Sequence, residues 1–356
     1  MSITHSDLNI DINVTPAALP TASTGFGVVA FLAEDLSFGA GERFRFYLNN
    51  DQVIADSDLT AAAKAAGLVA FSQDSNPPGF IIANVDATAS SETYLAALQD
   101  LFLKTSAPYG ITMQSRVTAD ILAVAADIQA RKKMLFVQTD ATDLVSEFGT
   151  LSTSDQTGIH FHDSDVENYD VAAAIRFLSV NPDQFTTPAS KPLSAVAEYT
   201  AATAQAAGFA TIVNTIRNDD GLASITGNLV LPRGTSVRTY NDPGKAADGT
   251  PLLSVLTRHW LDARLREDVI NVGLQYDAAN GIIPANYIGE AILAGVLTAR
   301  LDRAEALGKL VPGQRSEIIT TSDPGAECLT AQVSVQETRS ARKFKINVRL
   351  SVTEVI

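Results

Sequence analysis

The spacing of hydrophobic and polar positions along the chain changes several times, and each change marks an element. Near the start Leu8, Ile10, Ile12 and Val14 alternate with Asn9, Asp11 and Asn13, the period of a half-buried strand. Prolines 16 and 20 and the polar run from Thr21 to Gly25 do not suit a ladder, so this strand is expected to be an arm set off by a linker. From Gly25 onward, short apolar runs alternate with helical periods. Strands are predicted at 26–33, 43–48, 80–86, 109–113, 134–140 and 157–163. Helices are predicted at 90–104, 116–132, 141–149 and 166–178, and Asp58 is expected to cap an alanine-rich helix before them. Strands separated by amphipathic helices need crossover connections, so they should pair in parallel in an α/β layer covered on both faces.

After the proline-containing stretch around 182–192 the pattern shifts. A helix is expected at 197–207, a strand at 209–216, and a strand pair on either side of Pro232-Arg233-Gly234. A long helix follows, in which Leu253, Leu256, Trp260, Ala263, Ile270 and Leu274 make one row and Leu261, Leu265, Val269 and Val272 a second, which predicts burial on more than one side. Asn280-Gly281 breaks it and Pro284 can start the next helix, where Ile288, Ile292, Val296 and Ala299 line a face widened by Leu293, Leu297 and Leu301. Gly308 and Pro312-Gly313 end this helix. Two alternating strands close the chain, one with Leu329, Ala331, Val333 and Val335 on a face, the other with Phe344, Ile346, Val348, Leu350 and Val352 opposite Lys343, Lys345 and Arg349.

The order of marks in this second half carries a resemblance. Trp260-Leu261 with Arg264-Leu265, the Ile283-Pro284 turn, an alanine- and glycine-rich helix, the Gly308–Gly313 exit and the basic turn Arg339-Ser340-Ala341-Arg342 stand in sequence. Together they resemble the C-terminal domain of contractile tail sheath proteins of myophages. Lys191-Pro192-Leu193 and Val196 fit a further segment of that pattern, with Ala195 where the family carries glycine. The resemblance covers 190–356 by order of elements; over the first half it is one of general layout. It implies an α/β (α+β overall) chain: an N-terminal strand arm and linker (1–24), an outer α/β domain with a largely parallel sheet (25–188), an α+β sheath domain (189–340) completed by the terminal strands, and a C-terminal strand arm (341–356).

The same resemblance implies a structural subunit of a contractile sheath. Such a subunit polymerises with itself as a helical homo-oligomer of stacked hexameric rings around a tail tube, meets baseplate and tail terminator proteins, and contracts without a cofactor. Its place would be the virion tail, assembled in the host cytoplasm. Leu8, Ile10, Ile12 and Val14 with Phe344, Ile346, Val348 and Leu350 would be intersubunit strand arms, and Arg258, Arg264 and Arg266 would face the tube. An alternative is a cytoplasmic α/β enzyme or ligand-binding protein using the crevice at the strand C-termini of 25–188.

Composition narrows these choices. At 46% apolar and 19% charged the chain is globular, its single cysteine permits no intrachain disulfide, and a net charge of −14 opposes direct contact with nucleic acid. No run suits a secretory signal or membrane insertion. Nucleophile elbow, phosphate loop, dinucleotide fingerprint and zincin motif are all missing from the sequence. His160 and His162, followed by Asp163 and Asp165, could hold zinc or manganese, and Asp163, Asp165, Glu167 and Asp170 could be catalytic carboxylates. A solvated strand-to-helix junction explains the same residues, with Asp165 as N-cap and Glu167 in the first turn, so no metal and no catalytic residue is assigned. Arg258, Asp262 and Arg266 also fall at four-residue steps, which suits intrahelical ion pairing.

Overall fold

A computed structural model describes residues 8–9 and 25–338, apart from 181–182, 184–185, 190, 200–202, 204–208, 219–223, 233–238, 279–280, 282 and 324–327. Strand β1 (Leu8–Asn9) stands apart from the main sheet. That sheet takes β2 (Val29–Glu34), β3 (Phe44–Tyr47), β4 (Phe80–Val85), β5 (Gly110–Met113), β6 (Met134–Thr139), β7 (Thr157–Phe161), β8 (Pro192–Leu193), β9 (Asn228–Pro232) and β10 (Thr239–Asp242). Their order in space is β3-β4-β2-β5-β6-β7-β9-β10-β8. From β4 through β9 every neighbouring pair is parallel, as the crossovers require. Antiparallel strands close both edges, β3 on β4 at one end and β10 and β8 at the other. The chain is therefore mixed α/β with a largely parallel sheet. Strands from both sides of the expected boundary at 188–189 lie in that one sheet.

Helices α1 (Asn50–Ala55), α2 (Ala61–Phe71), α3 (Ala87–Ser90), α4 (Tyr94–Lys104), α5 (Thr118–Arg131), α6 (Leu144–Phe148) and α7 (Tyr169–Leu178) connect the strands. Thr60, not Asp58, caps α2, its hydroxyl accepting from the Ala63 amide at 3.3 Å. Helix α7 is buried almost all round because Ala172, Ala173 and Ala174 are small enough to let it lie close on the sheet. Its apolar residues join Phe31, Ile82, Ile111 and Phe136 in one continuous core.

Beyond the sheet the first correction appears. Residues 209–216, expected as a strand, lie in helix α8 (Phe209–Arg217). Ile212, Val213 and Ile216 recur at helical spacing, and Ile216 is fully buried while its carbonyl accepts from Gly227 at 2.7 Å. The β-branched composition suggested a strand, but packing decided the local structure. Helices α9 (Leu252–Ala278) and α10 (Tyr287–Ala306) form the expected pair. Two-sided burial holds only for the first half of α9, where Val255, Leu256, Trp260, Leu261 and Leu265 are fully buried; Leu274 and Tyr276 are exposed. Asn286 rather than Pro284 starts α10, its side chain accepting from the Ile288 amide at 2.9 Å.

Four strands follow: β11 (Leu310–Arg315), β12 (Ile319–Asp323), β13 (Cys328–Gln332) and β14 (Ser334–Glu337). The single strand expected around 329–335 is thus divided at Val333. Its first part pairs with β12 and its second with β11 and β1.

Candidate functional site

The terminal strand site is a three-stranded sheet in the order β1-β14-β11. Leu8 pairs with Val335 and Asn9 with Ser334, antiparallel and within one chain. On the other side Leu310 pairs with Glu337 and Arg315 with Val335, with a register irregularity between them. Val333, Val335 and Leu310 are buried, so this small sheet is seated on the body. Ile10, Ile12, Val14, Phe344, Ile346, Val348 and Leu350 lie outside the described residues.

Of the three expected tube-facing arginines, each meets a carboxylate of its own chain. Arg258 bonds Asp155, ahead of β7, instead of Asp262. Arg266 bonds Asp262 at 3.1 Å, and Asp262 also takes Lys132 at 3.0 Å. Arg264, only 9% exposed, is held by Glu267 one turn on. The Arg258–Asp155 and Lys132–Asp262 pairs fasten the start of α9 to the sheet body, beside the wholly buried Trp260, while the other two stay within the helix. Next to them the Tyr109 hydroxyl meets Nδ1 of His259 at 2.7 Å. Burial pushes the Tyr109 phenol well up and pushes His259 down to about 4, with Arg258 adding to the latter. Further along, Arg300 of α10 grips Asp268 of α9 through two bonds at 2.5 and 2.7 Å. No sequence spacing announces a pair thirty-two positions apart, although the helical hairpin itself was legible.

His160 and His162 sit in the core rather than at a solvated junction. They are 0% and 1% exposed. The His160 ring stacks on Phe136 with its Nδ1 3.1 Å from the Gly158 carbonyl, and burial lowers its pKa to about 4. His162 accepts from the Ser164 amide at Nδ1 and contacts the Ala197 carbonyl through Nε2 at 3.2 Å. Asp165 and Glu167 precede α7 without capping it. Asn168, at φ 47°, leads into the helix, and Glu167 instead accepts from the Ala197 amide at 2.8 Å. Asp170, fully buried, pairs with Arg116 at 2.8 Å. Among the described residues no three His, Cys, Asp or Glu side chains converge as metal ligands.

Polar side chains near the carboxyl ends of β6 and β7 make structural bonds. Gln138 donates to the Ser164 carbonyl at 2.8 Å and accepts from the Tyr169 amide at 2.7 Å, while Tyr169 donates its hydroxyl to Asn241. Asn228 bridges β7 to the following loop, donating to the Ile159 carbonyl at 3.0 Å and accepting from the Gly244 amide at 2.8 Å. These side chains are committed to holding strands and loops in place. No helix among the described residues is long and apolar enough to cross a membrane.

No family model matches this sequence, and no curated protein matches it. Solved structures do. A chain in the baseplate of the anti-feeding prophage superposes with a TM-score of 0.66 at 14% identity, covering 99% of this chain and 100% of that one. A chain of the same particle's helical sheath in the contracted state gives 0.62 at 14%, covering 96% and 98%. The sheath tail protein of Listeria innocua gives 0.58 at 10%, covering 91% and 95%. This is the contractile sheath fold. At such identities the likeness lies in the path of the backbone, and both halves of the chain take part in it.

Proposed function

We propose that this chain is a structural subunit of a contractile sheath and not an enzyme. The observation that carries the reading is the near end-to-end agreement in fold with a subunit of a contracted helical sheath. The subunits would polymerise as stacked rings around a tail tube, between a baseplate and a terminator, in the tail of a phage or a phage-derived device assembled in the host cytoplasm. Contraction would rotate and slide rigid bodies into a shorter, wider lattice without consuming a cofactor. The continuous sheet and the Arg300–Asp268 clamp suit a body that moves as a unit, and the terminal strands suit links that hold bodies together while they turn.

Of the tube-facing candidates, Arg266 is the one with its head most in solvent, at 44% exposed. Arg258 and Arg264 serve the fold first. The intersubunit role of Leu8, Ile10, Ile12, Val14, Phe344, Ile346, Val348 and Leu350 belongs to this proposal too, as donor-strand exchange between neighbours. Electron microscopy of the purified protein tests the reading. Tubes or stacked rings of constant diameter are expected, and a monomer that stays dispersed across protein concentration and salt would overturn it.

A further inference from the structure

We infer that residues 8–9 form a built-in cap on β14, so that the free subunit closes the edge on which a second copy's N-terminal strand would pair. The inference rests on the sheath reading above. Strand β14 is the middle of its sheet, with β11 along one edge and β1 along the other. At the start of β14, Ser316 donates its amide to the Ser334 carbonyl at 2.8 Å, and the Ser334 amide donates to Ser316 Oγ at 2.8 Å. Both backbone groups of Ser334 therefore point away from β1, which makes Asn9–Ser334 the non-hydrogen-bonded pair, with its Cα atoms about 4.5 Å apart. The bonding of this edge then falls to Leu8 and Val335.

An open strand edge is a template for another chain, and β14 would be such a template without β1. The segment that fits it is carried by every copy, so exchange of the identical element between subunits makes the same pairing. Within one chain the cap acts at an effective concentration on the order of millimolar, which favours the closed subunit while subunits are dilute. A neighbour's identical strand, held in a lattice at comparable or higher effective concentration, can displace it. Residues 10–24 span up to ~50 Å when extended, enough for the released strand to reach another body.

A reversible lock tests this on the full chain. Asn9→Cys and Ser334→Cys, with Cys328→Ser removing the native thiol, place two cysteines at a separation a disulfide accepts. The oxidised protein is expected to be monomeric, to carry the intrachain disulfide, and to assemble at least tenfold more slowly than the same protein after reduction. Failure of the disulfide to form in dilute monomer overturns the cap. Equal assembly by oxidised and reduced protein overturns its inhibitory role while leaving the sheath reading in place. Failure of wild type and variant alike, at all concentrations, counts instead against the sheath reading, and the cap as a regulator of assembly falls with it.

Discussion

The Tyr109 hydroxyl lies 2.7 Å from Nδ1 of His259, joining the start of β5 to the first half of α9 across 150 positions of sequence. Burial holds His259 neutral, and the phenol is the hydrogen-bond partner of Nδ1 in either ring tautomer. Tyr109→Phe leaves that nitrogen buried without its partner, and a loss of about 1–2 kcal/mol in urea unfolding is expected. An unchanged midpoint would mean that the bond adds nothing to the junction.

Acid should weaken the fold in a defined window. His160 and His259 are both pushed down to about 4 by burial, whereas an unfolded histidine titrates near 6.5. Between those values the unfolded chain binds more protons, so stability is complete above pH 6.5 and falls as pH drops towards 4, by about 3 kcal/mol per histidine. Urea midpoints measured from pH 7.5 to 4.5 check this. His160→Phe should flatten the slope by roughly half, and an equally steep profile in that variant would assign the effect elsewhere.

Arg116 and Asp170 form a pair in which the aspartate has no exposure and the arginine little. Arg116→Met strands a buried carboxylate and should cost about 3–5 kcal/mol. The double change Arg116→Met with Asp170→Leu is expected to be less damaging than the single one, because no lone charge remains. A double-mutant cycle showing simple additivity would contradict the coupling.

Ala195 has φ of 55°, the left-handed region, where the family pattern has glycine. An L side chain there costs roughly 1–2 kcal/mol, partly offset by glycine's extra freedom when unfolded. Ala195→Gly should therefore stabilise the protein by about 0.5–1 kcal/mol in denaturant titration, and Ala195→Val should destabilise it.

Gly289 presents the opposite demand inside α10. A Cβ there would lie 2.0 Å from the Pro284 carbonyl oxygen and 2.9 Å from Leu329. Although alanine favours helices, Gly289→Ala should cost roughly 2 kcal/mol or more by prying the turn before α10 from the helix. Gly295, with open space around it, is the control: Gly295→Ala should be neutral or stabilising.

Local periodicity was enough to place β2 through β7, helices α2, α4, α5 and α6 between them, and the pair α9 and α10, though not the short α1 and α3, because a buried face repeats at 2 or 3.6 residues whatever its partner is and one or two turns are too short to show it. The order of Trp260, Ile283-Pro284 and Gly308–Gly313 further pointed to the sheath fold. Tertiary structure alone decided the rest. Ile212, Val213 and Ile216 recur at helical spacing, but their β-branched side chains suggested a strand, and packing made them helical. His160 and His162 read as exposed because they stand beside aspartates in sequence, but the layers over β7 bury them. Arg258 prefers Asp155 to Asp262, and the strand around 329–335 divides between two sheets. Which partner a side chain or strand meets depends on chain segments far away in sequence, and local periodicity carries no term for that distance.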